Sequence, residues 1–291
     1  MIKFATDETK QQVWDIWKTV FGDPNNYMEV YFRTKYKNEN TLLYFEGDKA
    51  VASLQMLPYT LTFYGTEIPV LYLSGVSTLS DYRKKGYMQE LMIRSLEVAH
   101  ERGYALMLLI PQEEWLLKFY DKYGFTQTFE AGEKNLTLLG DMQELMKQDM
   151  QAAYSKFDVA FRDQNMTVQK TFEDFIAIVD EAKLFDYPVK GATLGMARVL
   201  DAELLLSLFA QQYPDKEFSM EVEDELLSHN NKLWTVANGW VEEGADKNDS
   251  TLKIDVRLLA QLLLGYHTAQ LDAPLNDLFP EQKPQMHYMM E

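Results

Sequence analysis

The stretch Val76-Ser77-Thr78-Leu79-Ser80-Asp81-Tyr82-Arg83-Lys84-Lys85-Gly86-Tyr87-Met88-Gln89 decides the fold. An apolar run over residues 68–79 enters it with the length and composition of a strand. The run ends in a basic turn with one glycine, and beyond it Met88, Leu91, Met92, Ser95, Leu96 and Ala99 recur at helical spacing. A strand feeding a helix through a glycine turn is the joint of an α/β sheet. First-turn amides of a helix have no internal acceptors and lie at the positive end of its dipole. That arrangement is an anion pocket. Gly86 has no Cβ to keep a phosphate away from the backbone. Arg83, Lys84 and Lys85 gather three cations in a chain of net charge −17. Two readings follow: a polyphosphate ligand, or a solvated basic turn capping a surface helix. The paired glycines of a dinucleotide fingerprint are missing, and so is a Walker-type loop.

Upstream, residues 2–4 read as a short strand, and Asp7 as the N-cap of a helix carrying Val13, Ile16, Trp17 and Val20. Gly22-Asp23-Pro24 ends that helix. Strand patterns follow at 42–46, 51–62 and 68–79, with Gly47 and Gly65 at the hairpin turns. Downstream, residues 104–110 form an unbroken apolar run suited to a strand buried on both faces. Residues 115–123 read as a short helix stopped by Gly124. Residues 141–157 and 171–182 look helical and belong to an arm joining two domains.

The pattern changes again from Leu194. Residues 196–212 show a helical apolar face through Val199, Leu204, Leu208 and Phe209. Asn238-Gly239 predicts a type I′ hairpin. Residues 251–254 alternate as a strand, and Asp255 caps a helix ending at Gly265. The expected organisation is a first domain over 1–133, an arm over 134–192 and a smaller α+β domain over 193–291.

Composition narrows the function. Hydrophobic residues at 46% and aromatics at 13% supply a globular core. No apolar run spans a bilayer and no signal peptide is visible, so a cytoplasmic protein without a membrane partner is expected. The absence of cysteine removes disulfides and thiolate chemistry. His100, His229, His267 and His287 are dispersed, and no metal site is predicted. The acidity argues against nucleic acid and suits either a cationic partner or plain solubility.

On Arg83, Gly86 and Met88 the chain resembles the GNAT superfamily of acetyltransferases, whose pyrophosphate loop reads Arg/Gln-x-x-Gly-x-Gly/Ala. Met88 departs from the small residue in the last place. The departure is shared with the Eis-type branch, in which three basic residues and a glycine precede two bulky residues. Tyr72-Leu73-Ser74-Gly75-Val76 and Phe119-Tyr120-Asp121-Lys122-Tyr123-Gly124-Phe125 are similar to that branch. Leu264-Gly265-Tyr266 and Leu278-Phe279-Pro280-Glu281-Gln282-Lys283-Pro284 resemble its sterol-carrier-like domain. The resemblance implies a GNAT fold, a mixed central sheet flanked by helices, followed by a smaller α+β sterol-carrier-like domain. It implies acetyl-CoA as cosubstrate. Val76, Ser77 and Thr78 would pair with the pantetheine arm, and the amides of Arg83, Lys84, Lys85, Gly86, Tyr87, Met88 and Gln89 would hold the pyrophosphate. Members of this branch usually carry two acetyltransferase-like domains before the last one. This chain is too short for two, so the arm would be a remnant of the second.

Acetyl transfer to an amine needs a neutral amine, a stabilised tetrahedral intermediate and a proton for the departing thiolate. The resemblance makes Tyr120 the acid, although Phe119, Tyr120 and Tyr123 also suit core packing. It makes the α-carboxylate of Glu291 the base, with Glu113 and Glu114 as alternatives. The expected partner is a small-molecule or peptide amine, cations among the candidates, and self-association as a homo-oligomer stays open. Two other classes compete: a coenzyme A-binding module without catalysis, and a carrier of an apolar ligand in the C-terminal domain.

Overall fold

A computed structural model describes residues 1–132, 135–136, 138–244 and 251–290. β1 (Ile2–Phe4) precedes α1 (Lys10–Phe21) and α2 (Asn25–Thr34). The N-cap of α1 is Thr9 rather than Asp7. Thr9 Oγ1 accepts from the Thr6 amide at 2.8 Å, while Asp7 accepts from Asn38 Nδ2 at 2.7 Å. Asp7 is therefore occupied by a residue distant in sequence. The break between α1 and α2 falls at Gly22, φ +72, as the sequence predicts.

β2 (Thr41–Glu46), β3 (Lys49–Phe63) and β4 (Thr66–Thr78) form an antiparallel meander. α3 (Tyr87–Glu101), β5 (Leu106–Leu109), α4 (Glu114–Asp121) and β6 (Thr126–Phe129) follow. β5 is parallel to β4. Both faces of these strands are covered, which explains their continuous apolar sequence. Val70, Tyr72, Leu106 and Leu108 pack with α1 and α2 on one face. Leu71, Leu73, Met107 and Leu109 pack with Leu91, Met92, Leu96 and Tyr120 of α3 and α4 on the other.

The next stretch comprises β7 (Asn135–Leu136), α5 (Leu138–Asp141), α6 (Gln143–Gln148), α7 (Met150–Val159), β8 (Thr167–Gln169), α8 (Phe172–Leu184) and β9 (Lys190–Gly191). The expected single helix over 141–157 is broken, because the Asp149 side chain caps α7 by accepting from the Ala152 amide at 3.0 Å. β8 adds to β3, and α8 lies beside α2.

β10 (Gly195–Val199) corrects the largest misreading. The expected helix over 196–212 is a strand, followed by α9 (Ala202–Gln212) after an Asp201 cap. β10 sits antiparallel between β5 and β6, giving the order β1-β2-β3-β4-β5-β10-β6. All five of its residues are buried, so no alternation separates strand from helix in the sequence. The first sheet is thus completed by a strand from beyond residue 192.

β11 (Phe218–Glu223), β12 (Leu233–Ala237), β13 (Trp240–Glu243) and β14 (Leu252–Asp255) make a second sheet, with α10 (Val256–Leu264) and α11 (Leu275–Leu278) after it. Asn238 and Gly239 have φ +52 and +80, as a type I′ turn requires. Asp255 caps α10, accepting from the Leu258 amide at 2.9 Å. Trp234, Phe209, Phe279 and Leu259 fill the interior between this sheet and its helices.

Candidate active site

β4 and β5 pair only over Val70–Tyr72 and Leu106–Leu108. Beyond Tyr72, that edge of β4 has no strand partner among the described residues. On its other edge, Gly75 and Val76 together face the single residue Leu54 of β3, a β-bulge. The two parallel strands therefore part where β4 is bent, leaving a cleft edged by Val76, Ser77 and Thr78. Gly75 has φ +59, and a Cβ there would lie 2.5 Å from Trp17 Cζ3. Only glycine lets the indole lie against the bulge. Trp17 Nε1 in turn donates to Asp23 Oδ2 at 2.7 Å. Tyr31 Oη lies 2.9 Å from Ser74 Oγ, and Gln55 Nε2, buried near Gly75, has no hydrogen-bond partner among the described residues.

The basic turn follows the cleft directly. Arg83 Nε donates to the Thr78 carbonyl at 3.1 Å, folding the turn back on the end of β4. Lys84 and Gly86 have φ +63 and +86, and Gly86 is the N-cap of α3. The amides of Tyr87, Met88 and Gln89 open that helix with no acceptor among the described residues. A Cβ at Gly86 would meet nothing within 4 Å, so the space in front of the glycine is open. Arg83, Lys84 and Lys85 are exposed around it. Glu46 belongs to the same surface: it accepts from Tyr87 Oη at 2.8 Å and lies 3.6 Å from Lys85 Nζ. That hydrogen bond to Glu46 is the main reason the Tyr87 phenol is pushed up to about 12.

Tyr120 is buried on the α4 face of the sheet, edge-on to Phe119 and Phe125. Its apolar cluster also contains Leu71, Leu73, Val76 and Met88, residues from β4 and from the start of α3. The hydroxyl makes no hydrogen bond among the described residues. Burial raises its pKa well above the ordinary phenol value, with Tyr123 adding a smaller effect. Glu113 and Glu114 are exposed at the start of α4, and Glu113 accepts from Trp115 Nε1.

A cavity of about 630 Å³ lies on the opposite, α1–α2 side of the bulge. Asp23, Tyr27, Glu181, Phe185, Lys190 and Tyr288 are among its walls. Asp23 ties it to the bulge through Trp17. Glu181 accepts from Lys190 Nζ at 2.8 Å. The tail segment Met286–Met290 is buried beside it. The Gln285 amide donates to the Met166 carbonyl at 2.8 Å, and the Thr193 amide to the Met286 carbonyl at 2.9 Å. Glu291 lies outside the described residues.

Residues 1–128 match the family model for an acetyltransferase (GNAT) domain, and residues 204–278 match a sterol carrier protein domain. The chain joins a GNAT acetyltransferase domain to a sterol carrier protein domain. An uncharacterized N-acetyltransferase of Streptomyces avermitilis is 31% identical over 86 residues, which is 29% of this chain and 20% of that protein. The match therefore spans about a fifth of that curated relative. Among solved structures, a probable N-acyltransferase from Enterococcus faecalis superposes with a TM-score of 0.68 at 16% identity, covering 98% of this chain and 97% of the other. A GCN5-related N-acetyltransferase from Anabaena variabilis gives 0.69 at 15% identity, covering 98% of both chains. Eis1 from Mycobacterium abscessus gives 0.63 at 14% identity, covering 97% and 96%. At these identities the likeness is one of fold. In the GNAT domain, the β4 edge, the basic turn and Tyr120 come together on one side of the sheet. Asp23, Tyr27, Glu181 and Phe185 went unread in the sequence as wall residues. No local pattern marks them, because Asp23 looks like a helix stop and Glu181 like a solvated helix position.

Proposed function

We propose that this protein transfers an acetyl group from acetyl-CoA to a primary amine. The observation that carries the reading is the parting of β4 from β5 at a bulge that continues into a glycine-capped helix N-terminus. Backbone groups of Val76, Ser77 and Thr78 would take the pantetheine arm as an added strand. The amides at Gly86, Tyr87, Met88 and Gln89 would take the pyrophosphate, with Arg83, Lys84 and Lys85 neutralising its charge.

The amine enters from the cavity on the other side of the bulge. Its lone pair attacks the thioester carbonyl, the C–S bond breaks, and the sulfur leaves as a thiolate. Tyr120 supports this last step. Burial keeps its phenol protonated, so a donor is in place at neutral pH. A thiol ordinarily titrates near 8.5, below a raised phenol. Tyr120 therefore acts chiefly as a hydrogen-bond donor to the charge developing on sulfur, and solvent completes the proton balance. For the base, the reading retains the carboxylate of Glu291. The burial of Met286–Met290 and the presence of Tyr288 and Met289 on the cavity wall support it. Glu113 and Glu114 stand on the exposed start of α4.

The test is release of coenzyme A from acetyl-CoA with a panel of primary amines, alongside the thermal shift given by acetyl-CoA alone. Amine-dependent release supports the transferase. A thermal shift without release for any amine would leave a coenzyme A-binding module in its place.

A further inference from the structure

We infer that the exposed indole of Trp115 is the surface on which the adenine of coenzyme A stacks. The inference rests on the acetyl-CoA reading and extends it to the base, for which the β4 edge and the basic turn supply nothing.

The topology brings Trp115 to the cleft. β4 and β5 are parallel, and α3 and α4, which follow them, pack on the same face of the sheet. Both helices therefore open at the carboxyl ends of their strands, one on each side of the line where the strands part, the end at which parallel strands take ligands. Trp115 lies in the first turn of α4, as Met88 lies in the first turn of α3. Leu116, the next residue, packs against the same apolar cluster as Met88 and Val76. A pyrophosphate on the first-turn amides of α3 carries its adenine one ribose away, beside the start of α4.

The aromatic rings around the basic turn are otherwise engaged. Tyr87 and Tyr44 stack on each other at 4.2 Å. The Tyr82 ring has Lys49 Nζ at 5.0 Å and Lys85 Nζ at 4.8 Å from its centre. Phe119 is turned edge-on to Tyr120 and Tyr123. Trp115, by contrast, is 61% exposed. Its Nε1 donates to Glu113 Oε2, which holds the indole by one edge. A singly exposed tryptophan is ordinary on a protein surface. One tethered at its edge beside a nucleotide's phosphates is a stacking platform, because any base presents a π-face to it.

The charge around Trp115 selects the base over the phosphates. Glu113 and Glu114 precede it and are exposed. Carboxylates there repel a phosphate but not an uncharged purine, and an adenine amino group can donate to a carboxylate oxygen. The cations for the phosphates stand at Arg83, Lys84 and Lys85, at the other helix start. Base and phosphates thus fall on opposite sides of the cleft.

The experiment compares acetyl-CoA with S-acetyl-4′-phosphopantetheine, which lacks the adenosine, in the native protein and in Trp115→Ala. The position is exposed, so folding is not at stake. Trp115→Ala should raise KM for acetyl-CoA about tenfold, the scale of one base–aromatic stack. The value of kcat should hold, since the base is bound alike in the ground and transition states. KM for S-acetyl-4′-phosphopantetheine should not change. Trp115→Phe keeps a ring and should restore most of the affinity for acetyl-CoA. Trp240→Ala, at the exposed tryptophan on β13 of the second sheet, should leave both KM values as they are. An unchanged KM for acetyl-CoA in Trp115→Ala, or an equal loss with both cosubstrates, overturns the inference while leaving the transferase intact. Native protein that neither binds acetyl-CoA nor releases coenzyme A with any amine overturns the transferase reading and this inference together.

Discussion

The guanidinium of Arg198 donates from Nη2 to both carboxylate oxygens of Asp224, at 2.6 and 2.8 Å, with both side chains buried. Arg198 lies on β10 of the first sheet, and Asp224 follows β11 of the second. Arg198 Nε also donates to the Tyr123 carbonyl at 2.8 Å, at the end of the helix that carries Tyr120. Asp224 Oδ1 accepts from the amides of Leu226 and Leu227, and Asn230 Nδ2 donates to Oδ2 at 2.9 Å. One ion pair thus joins the two sheets and fixes the end of α4.

Removing either partner leaves a buried charge without its counterion. Arg198→Met or Asp224→Asn should each cost about 3–5 kcal/mol. Burial alone would raise the Asp224 carboxyl, but the Arg198 charge and the hydrogen bonds hold it below its ordinary value. Burial also pulls Arg198 down, yet a guanidinium stays cationic, so the carboxylate governs the pH response. With the folded value lowered, this stability is complete above about pH 4 and is lost as pH falls below it. Urea melts of both variants check the cost, and wild-type melts between pH 5 and 3 check the acid limb.

Gly124 meets the same guanidinium from the other side. Its φ is +79, and a Cβ would lie 2.7 Å from Arg198 Nε. Gly124→Ala should destabilise by at least roughly 1–2 kcal/mol from the left-handed backbone alone. An unchanged melting temperature would show that Arg198 can move aside.

At the proposed cofactor turn the expectation reverses, with binding lost and the fold kept. Gly86→Asp puts a carboxylate into open space in front of the first-turn amides of α3. Aspartate tolerates the left-handed backbone better than most residues. The melting temperature should fall little, while the shift produced by acetyl-CoA should vanish. Retained binding in this variant would move the pyrophosphate site elsewhere.

Tyr120→Phe removes a hydroxyl without a hydrogen-bond partner among the described residues and keeps the ring in its cluster. Stability and acetyl-CoA affinity should hold. The rate constant kcat should fall on the order of a hundred- to a thousand-fold, the usual range for a lost hydrogen-bond donor to charge developing in the transition state. Near-normal kcat across the pH range would make Tyr120 a packing residue.

His287 and Lys170 should make the fold sensitive to acid well above the carboxylate range. His287 is buried, stacks on Phe161 at 3.7 Å, and neither ring nitrogen has a hydrogen-bond partner among the described residues. Burial first, then the Lys170 charge, hold it well below its ordinary value. Burial likewise pushes Lys170 down to about 7, opposed by Asp174 and assisted by Lys35. Tyr59 faces both lysines, with Lys35 Nζ 4.7 Å and Lys170 Nζ 5.1 Å from its ring centre. Both shifted groups bind fewer protons folded than unfolded, so stability rises with pH. For Lys170 the window runs from about 7 up to the ordinary lysine value of 10.5. For His287 it lies below 6.5. Urea midpoints should fall from pH 8.5 to 5.5. His287→Phe should flatten the acid part and Lys170→Met the alkaline part, and slopes identical to wild type would refute the assignment.

The sequence by itself determined what a few neighbouring residues can encode. The strand–turn–helix joint at Val76–Gln89 was legible because apolar period, basic turn and glycine lie within fourteen residues. Asn238-Gly239 and the Asp255 cap were legible for the same reason. Thr9 and Asp149 were missed because threonines and aspartates offer several local caps, and packing selects among them. Only the tertiary structure decided that residues 195–199 form a strand. Every residue there is buried, so burial leaves no periodicity, and the choice rests on the open edges of β5 and β6. The cavity, too, draws Asp23, Glu181 and Tyr288 from segments more than a hundred residues apart. Their chemistry is local, but their adjacency is a product of how helices and tail pack against the bulge in β4. A side chain's type is written in the chain, and its neighbours are set by the burial of surfaces it does not itself carry.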